Sequence, residues 1–132
     1  MSSRLLLDTH AFLWWLEGSS RLAAGARSSI ADPHNEIVVS AASIWEIAIK
    51  LSIGKLTMRD EDARRLPEVI AECGFAELSI SAAHAADVRA LPMHHSDPFD
   101  RILVAQALAE ELRIVTADPA IAAYGVRTLP AA

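Results

Sequence analysis

From RLLLD at residues 4–8 to GVRTLP at 125–130, short apolar runs alternate with longer stretches of helical periodicity. That alternation constrains the fold more than any other feature. Strands buried on both faces read as continuous apolar runs, and parallel neighbours need a helical crossover between them. RLLLD (4–8), EIVVS (36–40), FAELSI (75–80) and RIVTAD (113–118) read as strands one to four, with GVRTLP (125–130) a weaker fifth. The intervening patterns read as helices: THAFLWWLEGSS (9–20), ended by Gly18, and SSRLAAGARSSIADP (19–33), stopped before Pro33. AASIWEIAIKLSIGKL (41–56) carries Ile44, Ile47, Ala48 and Leu51 on one face and is closed by Gly54. RDEDARRLPEVIAECG (59–74) reads as a charged helical hairpin or a helix kinked at Pro67, and SAAHAADVRALP (81–92) as a short helix. DPFDRILVAQALAEEL (97–112) is the longest helix, apolar on nearly every side and therefore central. The expected class is α/β, with helices around a mainly parallel sheet.

Length and composition narrow this further. A chain of 132 residues, 52% hydrophobic and 22% charged, with no linker or repeat, is expected to form one domain over 1–132. The apolar start is interrupted by Asp8 and His10, well short of the roughly 18 residues a spanning helix needs. It reads as a buried strand entering a helix, and the protein as cytoplasmic with no membrane partner. The lone Cys73 forms no internal disulfide, which fits a reducing compartment. A net charge of −5 is unsuited to holding nucleic acid by charge alone. Either nucleic acid is not the substrate, or the acidic excess is concentrated where a bound cation neutralises it.

Position singles out four carboxylates. Asp8 ends the first strand and Asp118 the fourth; Glu46 lies in the helix after strand two, and Asp100 in the first turn of the helix before strand four. In open parallel sheets, ligands bind beyond the carboxyl ends of the strands where the strand order reverses. Carboxylates crowded there repel one another unless a hard divalent cation with oxygen ligands neutralises them. Such a cation activates water and stabilises charge on a phosphoryl oxygen, so the implied chemistry is metal-assisted phosphodiester hydrolysis.

Each residue also has a structural reading. Asp8 can cap the helix beginning at Thr9, and Asp118, before Pro119, can cap another. Glu46 follows Ser43 at capping-box spacing and precedes Lys50 by four, a favourable helix pair. In SDPFDR (96–101), Asp97 followed by Pro98 is a cap with proline at the first helical position. Asp100 then gains from the helix dipole or completes a capping box. His94 and His95 lack a third ligand at zinc spacing and read as a polar loop, and His84 as an ordinary helix residue. Trp14 and Trp15 are placed between core and surface, with an interface as the alternative.

LLLDTHAFLWWL, SAASIWEIAIKLSIGKL and LPMHHSDPFDRILVAQALAEELRIVTAD, in this order and spacing, resemble the PIN-domain family, and within it the VapC-type ribonuclease toxins of toxin–antitoxin pairs. The resemblance covers essentially the whole chain. It implies a Rossmann-like parallel sheet in the order 3-2-1-4-5 with helices on both faces. It also implies a metal-dependent endoribonuclease using Mg²⁺ or Mn²⁺, an RNA substrate, a cognate VapB-like antitoxin and a homodimer. The family's acidic positions fall on Asp8, Glu46, Asp100 and Asp118, with Asp8, Asp100 and Asp118 on the metal. Asp97 keeps the cap and, with Thr116, Thr9 and Ser43, is a supporting candidate. Arg101, Lys50 and Lys55 are the candidate RNA contacts.

Other folds with an acidic pocket after the first strand fit less well. A haloacid dehalogenase wants a second aspartate two residues after the first, where this chain has His10. A receiver domain needs an aspartate ending strand three, where this chain has ELSIS. The remaining alternative is a catalytically degenerate PIN domain that binds protein or RNA, and the four filled acidic positions weigh against it.

Overall fold

The structure, a computed structural model, describes residues 2–132. Five strands form one sheet in the order β3-β2-β1-β4-β5. They are β1 (Arg4–Leu7), β2 (Glu36–Ser40), β3 (Ala76–Leu78), β4 (Arg113–Thr116) and β5 (Thr128–Pro130). Every pairing is parallel, with Leu7 beside Val39 on one side and Val115 on the other. Central β1 therefore has helices over both faces, which is why RLLL does not alternate. Leu5 and Leu7 join Ile37, Val39, Val115, Phe12, Ile30 and Ile70 in one core layer, whereas Leu6 joins Val38, Ile114, Leu103, Val104 and Ile121 in the other.

The helices are α1 (Thr9–Glu17), α2 (Ala24–Ala31), α3 (Ala41–Ser52), α4 (Asp60–Arg64), α5 (Leu66–Glu72), α6 (Ala82–Asp87), α7 (Pro98–Glu110) and α8 (Pro119–Ala122). Gly18 closes α1 at φ 62, a left-handed conformation that glycine adopts without steric cost. The second helix begins later than its pattern suggests, and no side chain caps its first turn. The stretch 59–74 forms two short helices that meet at Arg65 rather than one helix kinked at Pro67, which lies in the first turn of α5, where no amide partner is lost. α7 carries a continuous buried set from Leu103 to Ala107, yet Leu108 is exposed, so it is buried on most sides rather than all. His84 completes a capping box with Ser81 and its Nε2 lies 2.9 Å from Glu110 Oε1, a more specific role than an ordinary helix position. Trp14 and Trp15 are partly buried against the core. No helix among the described residues is long and apolar enough to cross a membrane.

Candidate active site

The strand order reverses between β1 and β4, and the site lies at their carboxyl ends. Parallel register carries Asp8 out of β1 beside β4, where its amide donates to Val115 O at 3.1 Å. The chain then turns into α1, and Asp8 Oδ1 accepts from the Ala11 amide at 2.8 Å. Asp8 is therefore the cap that its position suggested, and it is also buried in the site. Asp118 is likewise both: Oδ1 accepts from the Ala120 amide at 2.9 Å, while Oδ2 faces inward. The Thr116 hydroxyl accepts from the Asp118 amide at 3.0 Å and fixes the turn out of β4.

Glu46 does not cap. Ser40 is the N-cap of α3, bonding the Ala42 amide, and Glu46 lies a turn and a half further on, buried. Its Oε1 accepts from the Thr9 hydroxyl at 2.6 Å and its Oε2 from Lys50 Nζ at 2.6 Å. The expected i,i+4 pair is present, but its acidic partner is inside the protein rather than on the surface. Asp97 caps α7 through the Phe99 amide at 2.8 Å. Asp100 does not reach back into a capping box; its Oδ2 lies 3.1 Å from His95 Nε2.

A cavity of about 210 Å³ is lined by Asp8, Thr9, His10, Glu46, Lys50, His95, Asp97, Asp100 and Asp118. All four predicted acidic residues meet there, together with Asp97, Thr9 and Lys50. Ser43 and Lys55 are not among the lining residues; Ser43 Oγ is buried without a hydrogen-bond partner. Arg101 is a correction. It is buried, and its guanidinium donates to the carbonyls of Val88, Leu91 and Pro92 and to the Tyr124 hydroxyl, so it binds the chain's own loop instead of facing RNA.

His95 is the residue that sequence reasoning missed, since it reads there as part of a polar loop. Its Nε2 lies 2.7 Å from Asp118 Oδ2 as well as 3.1 Å from Asp100. The available signal was its place two residues before the cap of an acidic helix, which is weak without knowing that β4 ends nearby. His10, stacked on Trp14, also borders the cavity.

Burial pushes the Asp8 carboxyl up, against the opposing bonds from Thr116 and Ala11. Burial, and then the neighbouring Asp97 charge, push Asp100 up to about 7 despite His95, with Asp8 and Glu46 adding to the effect. At Asp118 burial acts upward too, but the Ala120 amide and His95 bonds outweigh it and hold the carboxyl below its ordinary value. The Glu46 hydrogen bond raises Lys50, which therefore stays charged. Carboxylate oxygens converging from β1, α3, α7 and β4, with Lys50 the one lysine or arginine lining the cavity, suit a hard divalent cation rather than a soft one.

Residues 5–126 match the PIN domain family profile. Ribonuclease VapC22 of Mycobacterium tuberculosis (strain ATCC 25618 / H37Rv) is 31% identical over 122 residues, covering 86% of this chain and 86% of its own. Ribonuclease VapC16 of the same organism is 43% identical over 74 residues, or 53% of this chain, and that match spans only 52% of the relative's length. Among solved structures, VapBC2 from Rickettsia felis bound to a promoter DNA fragment aligns with a TM-score of 0.72 at 13% identity, over 96% of this chain and 97% of that one. VapBC-1 from nontypeable Haemophilus influenzae aligns at 0.66 with 16% identity, over 96% of each chain. At these identities the structural likeness is one of fold, and the sequence matches carry the kinship. The chain belongs to the PIN-domain family, alongside its VapC-type members.

Proposed function

We propose that this protein is a metal-dependent endoribonuclease, acting as the toxin of a toxin–antitoxin pair. The observation that carries the reading is the convergence of Asp8, Glu46, Asp100 and Asp118 on one small cavity, with Asp100 pushed up to about 7. Protein structures rarely maintain such crowding without use. Asp8, Asp100 and Asp118 would hold Mg²⁺ or Mn²⁺. When bound, the cation would supply Lewis-acid stabilisation at the phosphoryl oxygen and make water more acidic. Glu46 is oriented by Thr9 and Lys50, and each of its oxygens keeps a lone pair able to accept a proton from the attacking water. That water forms the new P–O bond as the bond to the departing sugar oxygen breaks. Lys50, charged and a third exposed at the rim, is suited to meet a phosphate of the strand.

An antitoxin partner is supported by the solved structures of like fold, one of which, from Klebsiella pneumoniae, is described as a toxin–antitoxin complex. From the resemblance to the VapC-type toxins we also propose a homodimer. The direct test is cleavage of a mixed RNA pool with Mg²⁺ or Mn²⁺. Asp100→Asn should lower the rate by at least about 100-fold, the scale of a lost transition-state charge contact. Asp97→Asn, which keeps a competent cap, should retain most of it. Wild-type protein that cuts nothing with either metal, freed of its partner, would leave the binding-module reading standing instead.

A further inference from the structure

His95 Nε2, Asp100 Oδ2 and Asp118 Oδ2 lie within 4.8 Å of one another, close enough to share a metal ion. The other ring nitrogen argues against His95 being a ligand. His95 Nδ1 accepts the Asp97 backbone N–H at 3.0 Å. A nitrogen accepting an N–H bond carries no proton of its own, so a neutral ring bears its proton on Nε2. Nε2 is then a donor, bonded to Asp118 Oδ2 with Asp100 Oδ2 alongside, and has no lone pair to offer a cation. His84 follows the same rule elsewhere in the fold: its Nδ1 accepts the Ser81 amide and its Nε2 meets Glu110.

The backbone of His95 is fixed as firmly as its ring. Its amide donates to the Tyr124 hydroxyl at 2.8 Å, and that hydroxyl also accepts from Arg101 Nη1 at 3.1 Å. Arg101 reaches the preceding loop through the Pro92 carbonyl at 2.9 Å and the Val88 carbonyl at 3.0 Å. A buried arginine with no carboxylate partner is costly, and here its donors are taken up by the loop that delivers His95. The backbone that carries His95 therefore cannot shift without breaking this cluster, and the ring cannot swing aside without losing its bonds to the Asp97 N–H and to Asp118.

We propose that His95 is a positioning residue: its Nε2–H, with Nε2 3.1 Å from Asp100 Oδ2, holds the inward-facing Asp118 Oδ2 and so fixes the placing of these two carboxylates around the cation. The inference rests on the metal-dependent reading above. Outer hydrogen bonds of this kind typically change metal affinity about 10- to 100-fold.

The test is Mn²⁺ binding to the full chain, followed by electron paramagnetic resonance, for wild type, His95→Ala, His95→Gln and Asp118→Asn. His95→Ala should weaken binding by about 10- to 100-fold. His95→Gln, whose amide N–H can stand in for Nε2–H, should recover most of the affinity. In cleavage assays the alanine variant should raise the Mn²⁺ concentration for half-maximal rate much more than it lowers the rate at saturation. Wild-type Mn²⁺ should show no nitrogen coupling of the strength given by a directly bound imidazole, a readout that requires no variant to fold. Directly bound nitrogen would overturn the proposal in favour of a ligand role. Unchanged affinity in His95→Ala, while Asp118→Asn loses Mn²⁺, would overturn it and leave the metal-dependent reading intact. A wild type that binds no Mn²⁺ would bring down both.

Discussion

Burial and the charges of Asp97, Asp8 and Glu46 keep Asp100 protonated to about pH 7, although its ordinary value is 3.8. A folded carboxyl raised in this way holds a proton that the unfolded chain has already released, so stability falls as pH rises between those values. At about 1.4 kcal/mol per unit, the upper bound is roughly 4 kcal/mol, reduced by the partial exposure of the group. Asp8 is raised as well and acts in the same sense. Asp32, Asp62 and Asp118 are lowered instead, so their contributions are lost only on acidification below the ordinary carboxylate range. In chelator, urea denaturation should give a higher midpoint at pH 5 than at pH 8, and Asp100→Asn should flatten that difference. Sequence alone could identify these residues but not choose between their roles, because Asp8, Asp97 and Asp118 do cap helices. Capping uses one carboxylate oxygen, so it does not exclude a second role. Of the two structural readings of Glu46, the capping box fails, since Ser40 supplies the cap, while the Lys50 pair is present with Glu46 buried beside Thr9.

α7 brings together the cap, the acidic residue and the buried arginine within its first turn and a half. Arg101→Lys should destabilise the protein by about 1–3 kcal/mol in chemical denaturation, because one ammonium cannot match the arginine's planar fork of donors across several carbonyls. Nothing in the local sequence signals this, since an arginine directly after an acidic position invites a nucleic-acid role. What it binds is a loop whose path depends on the packing of α7 against α6 and on Tyr124. The other end of α7 carries a local cost. Glu111 closes it at φ 56, the left-handed region that non-glycine residues enter at a penalty. Glu111→Gly should therefore raise stability by about 0.5–1 kcal/mol, read as a shift in denaturation midpoint.

At the level of the whole molecule, β1, α3, α7 and β4 each deliver a carboxylate to one point, so a ligand that joins them should stabilise the entire fold. Saturating Mn²⁺ at about 100 times its dissociation constant adds roughly 2.7 kcal/mol. That should raise Tm by on the order of 10 °C for a chain of this size, with reversal by chelator. The shift should be smaller at pH 5.5 than at pH 8, because protons compete for Asp100. An unchanged Tm at pH 8 would count against a cation in this cavity. By itself, the sequence determined the alternation of strands and helices, the caps at Asp8, Asp97 and Asp118, and the four acidic positions. These depend on periodicities and on interactions a few residues apart along the chain. The resemblance added the sheet order 3-2-1-4-5, which the fold bears out. Only the tertiary structure decided which partners the side chains meet across the sheet: Thr9 with Glu46, 37 residues away, and His95 with Asp118, 23 residues away. Such pairings follow from the crossing of strands and helices in space, and no local pattern in the sequence encodes them.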